Sequence, residues 1–253
     1  MFKFFILFSL ILMLAASSAP ARAQTTNGLQ AWWKLDEGIG GSTVDATGNG
    51  HNGTLVSSPA WVDGKYGAAL LFDGATNYVD TDNFADNLTE MTVTCWFNTS
   101  ASISNDAAVL VSKISAGGTW GGTGWMLALL GPNQGAPGSL AGIVENGSNY
   151  YVPNSDASFA DGMWHQAAMV VTGGNAVVLY IDGAIPAGAL YVNGSIATYT
   201  NAGNVRIGYD YGGPNPDYFP GIIDEVRIYD RALTPGEIYE LYENGTHSLG
   251  LEF

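Results

Sequence analysis

Three stretches of the chain combine flat aromatic rings with amides, hydroxyls and carboxylates, the mixture that sugar recognition requires. A pyranose offers its C–H face to an aromatic ring and its hydroxyls to polar side chains. The richest stretch is Gly208-Tyr209-Asp210-Tyr211-Gly212-Gly213-Pro214-Asn215-Pro216-Asp217-Tyr218. Others are Gly117-Gly118-Thr119-Trp120-Gly121-Gly122-Thr123-Gly124-Trp125 and Asn146-Gly147-Ser148-Asn149-Tyr150-Tyr151. Trp120, Tyr211 and Tyr218, with Asp210, Asn215 and Asp217, are the candidate ligand contacts. Trp125, Tyr151 and Tyr209 read instead as strand-end core aromatics. Exposed Tyr and Trp are also what protein interfaces enrich, so a protein ligand is the alternative to a glycan.

A second chemistry centres on Asp224. In Ile222-Ile223-Asp224-Glu225-Val226-Arg227-Ile228, strict alternation puts Asp224 on the inward face with Ile222, Val226 and Ile228, and points Glu225 and Arg227 outward. A buried carboxylate needs backbone N–H groups, an arginine or a cation beside it. The N-terminal segment supplies hard oxygen donors, Asp36, Glu37, Asp45 and Asn49, among glycines that let carbonyls turn toward a Ca²⁺ ion. Asx-turns would pin the same loop without any ion. For catalysis the sequence offers Asp156, Asp161, Asp210 and Asp217, but nothing in their spacing shows that two converge. His51, His165 and His247 complete no recognised motif, and no nucleophile elbow, zinc motif or phosphate loop occurs.

The elements that must position these groups are short strands. The chain carries 34 glycines and 13 tyrosines with 12% charged residues, a composition suited to many strands joined by tight turns. Strand-like runs cover Leu29 to Leu35, Ala69 to Phe72, Tyr78 to Thr81, Thr92 to Asn98, Val109 to Ile114, Trp125 to Leu130, Leu140 to Val144, Trp164 to Thr172, Ala176 to Ile181, Val205 to Tyr209 and Ile222 to Tyr229. They predict an all-β fold of two packed antiparallel sheets. Asp73-Gly74 and Asp182-Gly183 are hairpin signals, because Asp-Gly takes positive φ cheaply. One helix is expected after Thr234-Pro235-Gly236-Glu237, closing at Asn244-Gly245, with Ile238, Leu241 and Tyr242 buried. Cys95 alternates with Met91, Val93 and Phe97, which makes it a small core residue rather than a reactive thiol.

Residues 1–23 pair Lys3 with an apolar run and end in Ala21-Arg22-Ala23, the order of a secretory signal peptide cleaved after Ala23. The run is shorter than the ~20 residues needed to span a bilayer. The expected product is one secreted domain, residues 24–253, extracellular or periplasmic. The full chain's formal net charge of −15, more negative still without Lys3 and Arg22, disfavours nucleic acid and anionic membranes, and no membrane insertion is expected. The same dense set of Asp residues invites Ca²⁺.

Several segments in order resemble the laminin-G-like jelly-roll family of the concanavalin A-like lectin and glucanase superfamily. They are Ala31-Trp32-Trp33-Lys34-Leu35-Asp36-Glu37-Gly38 with Val44 to Thr54, Gly67 to Gly74 with Asn77-Tyr78-Val79, Met163 to Ala168, Leu179 to Gly183, and Gly221 to Thr234. The resemblance covers residues 28–245. It implies a two-sheet antiparallel jelly-roll sandwich with first and last strands adjacent and a short C-terminal helix. It also implies a structural Ca²⁺ between the N-terminal loop and the final strand, with Asp36, Asp45, Asn49 and Asp224 as ligands and Glu37 as a weaker one. The fold hosts lectins, adhesion modules and enzymes alike, so function must come from the site. The Glu-x-Asp-x-x-Glu run of related glycosidases and the Gln-x-His strand of related lyases do not occur here. The sequence therefore favours a carbohydrate-binding module without catalysis over a polysaccharide-active enzyme or a protein-binding adhesion module.

Overall fold

The computed structural model describes residues 25–86, 89–114, 122–146, 150–173, 176–189, 192–193, 201–210 and 216–247. The elements in chain order are β1 (Leu29–Trp33), β2 (Ser42–Thr43), β3 (Gly53–Val56), β4 (Ala60–Asp63), β5 (Ala68–Asp73), β6 (Tyr78–Asp80), β7 (Met91–Asn98), β8 (Ala107–Ile114), β9 (Thr123–Leu130), β10 (Ser139–Asn146), β11 (Tyr150–Tyr151), β12 (Asn154–Ser158), β13 (Trp164–Thr172), β14 (Ala176–Ile181), β15 (Gly188–Ala189), β16 (Val192–Asn193), β17 (Arg206–Ile207), β18 (Tyr209–Asp210), β19 (Asp217–Tyr218), β20 (Pro220–Tyr229) and α1 (Pro235–His247). One sheet runs β14-β13-β7-β20-β5-β4 with β1 also on β20; the other runs β15-β12-β10-β9-β8-β17-β6-β3-β2. All pairings are antiparallel and the first strand lies on the last, as a two-sheet jelly roll requires.

Alternation explains the layers. Val93, Cys95 and Phe97 of β7 meet Leu127, Leu129 and Trp125 of β9 across the inter-sheet core, and all are fully buried. Cys95 is a core residue, as expected, and burial pushes its thiol pKa up. The intervening residues of β7 and β13 face the other way, where Ala168 and Val170 are covered by Ile238 and Leu241 of α1. The capping box forms: Thr234 N–H donates to Glu237 Oε2 (2.8 Å) and Glu237 N–H to Thr234 Oγ1 (3.3 Å).

Three expectations change. The helix continues past Asn244-Gly245 to His247. Asp73-Gly74 does not close a hairpin, because β5 and β6 belong to different sheets and the turn is a crossover between them. Asp182 and Gly183 do form a tight turn with φ of 50° and 77°, yet the chain beyond it joins the opposite sheet through β15.

A further change, the most consequential, is the parity of β20. Its first half pairs with β5 and its second half with β1, while β7 runs along its other side. At the seam the register against β7 shifts between Asp224 and Arg227, and Glu225 adopts φ 54°. This bulge inserts one residue into the alternation. Ile223, Val226 and Ile228 therefore face the inter-sheet core. Asp224 stands opposite Trp96 on the outer face, not with Val226 and Ile228. It is nevertheless fully buried, because the β4–β5 turn and the helix side cover that face.

A buried cation fixes one end of the sandwich. Lys113 at the end of β8 is fully buried, and its ammonium donates to Asn83 Oδ1 (2.5 Å), Asn201 Oδ1 (3.3 Å) and Gly203 O (2.8 Å) while pairing with Asp86 Oδ1 (3.1 Å). Burial lowers its pKa and Asp86 opposes that shift. Lys113→Ala should cost about 3 kcal/mol, the lower end for breaking a buried pair because Asp86 keeps some solvent contact. Urea unfolding measures this; an unchanged midpoint would show that the ammonium is not what joins the two loops.

Candidate functional site

The tyrosine-rich segment is placed by the outward residues of β6 and β17. Val79 and Ile207 point into the core, so Tyr78, Asp80 and Arg206 face out. Arg206 Nε donates to Asp80 Oδ1 (3.0 Å), and its guanidinium lies 5.5 Å from the Tyr209 ring centre. Gly208 then turns the chain at φ 82°, against the Phe72 ring, where a Cβ would come within 2.6 Å of a ring carbon. Only glycine suits that position. Tyr209 and Tyr218 are cross-strand partners on β18 and β19, and Tyr78 stacks on Tyr209 at 4.5 Å between ring centres, with Tyr218 4.7 Å from Tyr209. Tyr209 is buried, which fits its reading as a core aromatic, while Tyr78 and Tyr218 stay half-buried at the surface. Trp125 is fully buried in the core.

Asp210 stands opposite Asp217 on the same two-stranded ribbon, and both are buried. Burial pushes the Asp217 carboxyl up to about 6, against a hydrogen bond from the Ala107 backbone, with Asp106 adding to the rise. Asp156 is exposed on β12, and Asp161 belongs to a different cluster, so neither joins this pair. Trp120, Tyr211 and Asn215 lie outside the described residues, and of Tyr151 only the backbone is described.

Beside Tyr218 the sandwich end opens into two clefts. One, of about 90 Å³, is lined by Asp73, Gly74, Ser102 to Asn105, Ala107 and Tyr218 among others. The second, of about 400 Å³, is lined by Ser100 to Ile103, Pro137, Gly138, Ser158 and Ala160. They share Ser102 and Ile103, so they flank a single loop. Asp73 lines the smaller cleft: burial works against its ionised form, but donors from Thr76, Ala75 and Asn77 together outweigh it and hold its pKa down at about 2.

The predicted metal ligands divide into two pairs. Asp224 Oδ2 accepts from Tyr66 N–H (3.0 Å), Asp36 Oδ1 accepts from Ala68 N–H (3.0 Å), and the β4–β5 turn lies between these carboxylates. A Cβ on Gly64 would sit 2.7 Å from Asp224 Oδ2 and one on Gly67 2.1 Å from Asp36 Oδ1. Asp224 Oδ1 has no hydrogen-bond partner among the described residues. Burial, with the Glu225 and Asp36 charges, pushes the Asp224 carboxyl up to about 8 despite the Tyr66 N–H. Asp224 Oδ1 is thus an orphaned, buried carboxylate oxygen, the kind of group whose charge a nearby cation would offset. Asp45 is different: its oxygens accept from Trp32 N–H (3.1 Å), Thr47 N–H (3.0 Å), Thr47 Oγ1 (2.8 Å) and His51 N–H (3.3 Å). Burial resists, but these donors win and its pKa is lowered. Asn49 donates its amide to Gln30 O (2.8 Å). That loop is pinned by Asx-type bonds. Glu37 accepts from Val44 N–H (2.8 Å) within it. Among the described residues, no three His, Cys, Asp or Glu side chains form a metal-holding group.

Sequence reasoning missed several groups here. Gln166, Trp96 and Asp224 form one row across β13, β7 and β20, and Trp96 Nε1, Gln166 Nε2, Thr94 Oγ1 and Tyr66 Oη are also without partners among the described residues. Glu145 is buried on β10, where desolvation pushes it up to about 7 against a Gly122 N–H. A polar residue at a strand's outward register gives no sequence sign that a loop will bury it.

His165 braces the larger cleft. Its Nδ1 lies 2.7 Å from Asp182 Oδ2 and its Nε2 3.2 Å from Asp161 Oδ1, and its ring packs edge-on to Phe159, next to Ser158 and Ala160. Burial alone would lower its pKa, but the two carboxylates outweigh it and the net shift is upward from 6.5. A raised histidine pKa contributes stability that is complete below 6.5 and is lost as pH climbs through the folded value. The stability difference between wild type and His165→Gln should therefore shrink on raising the pH from 5 to 8; a constant difference in thermal melts would refute the link.

Known proteins were compared with this geometry. A family model described as the concanavalin A-like lectin/glucanases superfamily, Laminin_G_3, matches residues 73–239. No curated protein sequence matches the chain. Domain 4 of AbnA, an extracellular arabinanase from Geobacillus stearothermophilus solved with arabinotriose, is similar with TM-score 0.64 and 22% identity, over 85% of this chain and 98% of that one. The binding domain of Paraclostridial Mosquitocidal Protein 1 gives 0.65 and 14%, over 88% and 53%. The binding domain of botulinum neurotoxin DC, solved with rat synaptotagmin II, gives 0.64 and 10%, over 88% and 52%. The chain thus spans about half the length of the two toxin binding domains, and at these identities the likeness shows the fold. With the family model matching most of its length, the chain belongs to the laminin-G-like family of the concanavalin A-like lectin/glucanase superfamily.

Proposed function

We propose that the protein is a secreted carbohydrate-binding module, lectin-like and without catalysis, whose fold is stabilised by calcium. The observation that carries the glycan assignment is half-buried Tyr218, packed with Tyr78 against Tyr209 and lining a cleft edged by serine hydroxyls. Rings held rigidly by neighbours lose little entropy on binding, so a preformed aromatic edge beside polar groups suits a sugar. The arabinotriose complex of the similar arabinanase domain supports the ligand class. Secretion rests on the leader-like residues 1–23.

For calcium, Asp224 and Asp36 are the proposed carboxylate ligands. Bound there, the ion would neutralise a cluster that includes Glu225. The Asp45 to Asn49 loop supports the end of β1 rather than reaching the same oxygens. Saturating calcium at a hundredfold over its Kd would add about 2.7 kcal/mol of stability. Melting with and without calcium should show this gain in wild type and in Asp45→Asn, but not in Asp224→Asn. An equal calcium response in Asp224→Asn would remove the site.

A second reading is a polysaccharide-active enzyme, favoured by Asp217, whose carboxyl sits near 6 and opposite Asp210. Paired carboxylates are what glycoside hydrolysis uses. A protein-binding module is the other alternative, supported by the toxin binding domain solved with rat synaptotagmin II, about half of whose length resembles this chain. A glycan-array screen of the purified protein, in calcium and then in chelator, with assay of released products, separates the three. Binding without cleavage is the expected result; cleavage would establish the enzyme, and an array without binding would move the function to a protein ligand.

A further inference from the structure

We propose that the two clefts beside Tyr218 form one groove that takes a neutral glycan chain of at least two sugar units, one on each side of Ser102 and Ile103, and excludes acidic sugars. The proposal rests on the glycan-binding reading above and fixes its place and ligand class. The shared lining of Ser102 and Ile103 makes the clefts neighbours across a single loop. The larger, about 400 Å³, lies within the range of about 300–1,000 Å³ typical of small-molecule sites. The smaller, about 90 Å³, carries Tyr218 and with it the aromatic edge.

The groove walls are held from several sides. Thr99 Oγ1 donates to Pro220 O (2.5 Å) and accepts from Ala101 N–H (3.1 Å), while Gly162 N–H donates to Thr99 O (2.8 Å). On the opposite wall Phe159 N–H donates to Gly138 O (2.9 Å), and Gly138, at φ 82°, lies so close to Ser158 that a Cβ would come within 2.2 Å of its hydroxyl. Ser100, Ser102, Ser104 and Ser158 present hydroxyls along this framework, and the first three are exposed on the loop itself. Hydroxyls serve as both donor and acceptor, which matches a ligand built of hydroxyls.

Charge sets the selectivity. Of the eight basic residues, Lys3 and Arg22 lie outside the described residues. The other six are each engaged in a pair or a stack, and none lines either cleft. Lys34 and Arg227 stack on Trp32, Lys65 stacks on Trp96, Lys113 is buried with Asp86, and Arg231 is paired with Glu237. Arg206, which lies 5.5 Å from the Tyr209 ring centre, is paired with Asp80. The charged residue lining the groove is Asp73, and Asp106 and Asp217 are chain neighbours of the lining residues Ala107 and Tyr218. A carboxylate on the sugar would meet like charge with no basic side chain in the lining to receive it.

The test is binding of neutral, uronate-bearing and sialylated oligosaccharides of one to four units, by array and then calorimetry, to wild type, Ser158→Trp and Tyr218→Ala. Neutral chains should bind, disaccharides and longer at least tenfold tighter than monosaccharides, and each variant should lose tenfold or more with an unchanged melting temperature. Equal binding of acidic sugars, or neutral binding that survives Ser158→Trp, would overturn the groove while leaving the glycan-binding reading intact. If a variant melts lower, its exposed neighbour Ser102→Trp replaces it and is read in the same way. Silence toward every glycan would overturn both.

Discussion

The last strand carries the constraint on which the rest of the structure depends. β20 is shared by β5 along its first half and β1 along its second, while β7 pairs with parts of both halves on its other side. A single uninterrupted alternation does not serve both halves, and the bulge at Glu225 resolves the conflict. The resolution leaves an acid, Asp224, fully buried on a face that α1 and the β4–β5 turn must cover. The Tyr66 amide satisfies one of its oxygens and leaves the other without a partner among the described residues. The proposed cation follows from that geometry rather than from the number of acidic residues.

Around this seam the chain manages a large acidic excess by giving each cation a fixed task. Arg227 is clamped between Glu225 and the Trp32 ring, Arg231 locks the capping-box Glu237 to the start of α1, and Lys113 fastens two loops. At the end of the sandwich that carries Tyr218, the basic side chain beside the tyrosines, Arg206, is paired with Asp80, and no Lys or Arg lines the clefts. Function and stability are coupled through this shortage: the same pairings that hold the fold leave the clefts edged by hydroxyls and acids.

The fold was legible in the sequence because its determinants are local and periodic. Alternation along Met91 to Phe97 placed Cys95 in the core, and Thr234 to Glu237 announced the helix cap. The family motifs brought β1 to β20. What failed was whatever depends on two strands at once. Alternation puts Asp224 on the wrong side because a bulge is dictated by neighbours, and Asp73-Gly74 reads as a hairpin although its φ preference is equally useful in a crossover. The site was legible only in fragments. Tyr218 and Asp217 were singled out, but Tyr78 comes from a strand far earlier in the chain, and the serine-lined walls come from loops whose residues are unremarkable singly. Asp45 and Asn49 share a loop with Asp36 in sequence, yet their hydrogen bonds hold them to Trp32, Thr47 and Gln30.

The seam, the acidic cluster and the groove support the proposed function: a jelly roll whose buried acid an ion would neutralise and whose open end would take uncharged sugar. A crystal structure of the protein grown with calcium and a neutral oligosaccharide tests that account most directly. It predicts a calcium-like peak bonded to Asp224 Oδ1 and Asp36, together with sugar density lying along Ser102 between Tyr218 and Ser158. A well-ordered Asp224 side chain bonded only to protein or water, with sugar bound on another face, would contradict it.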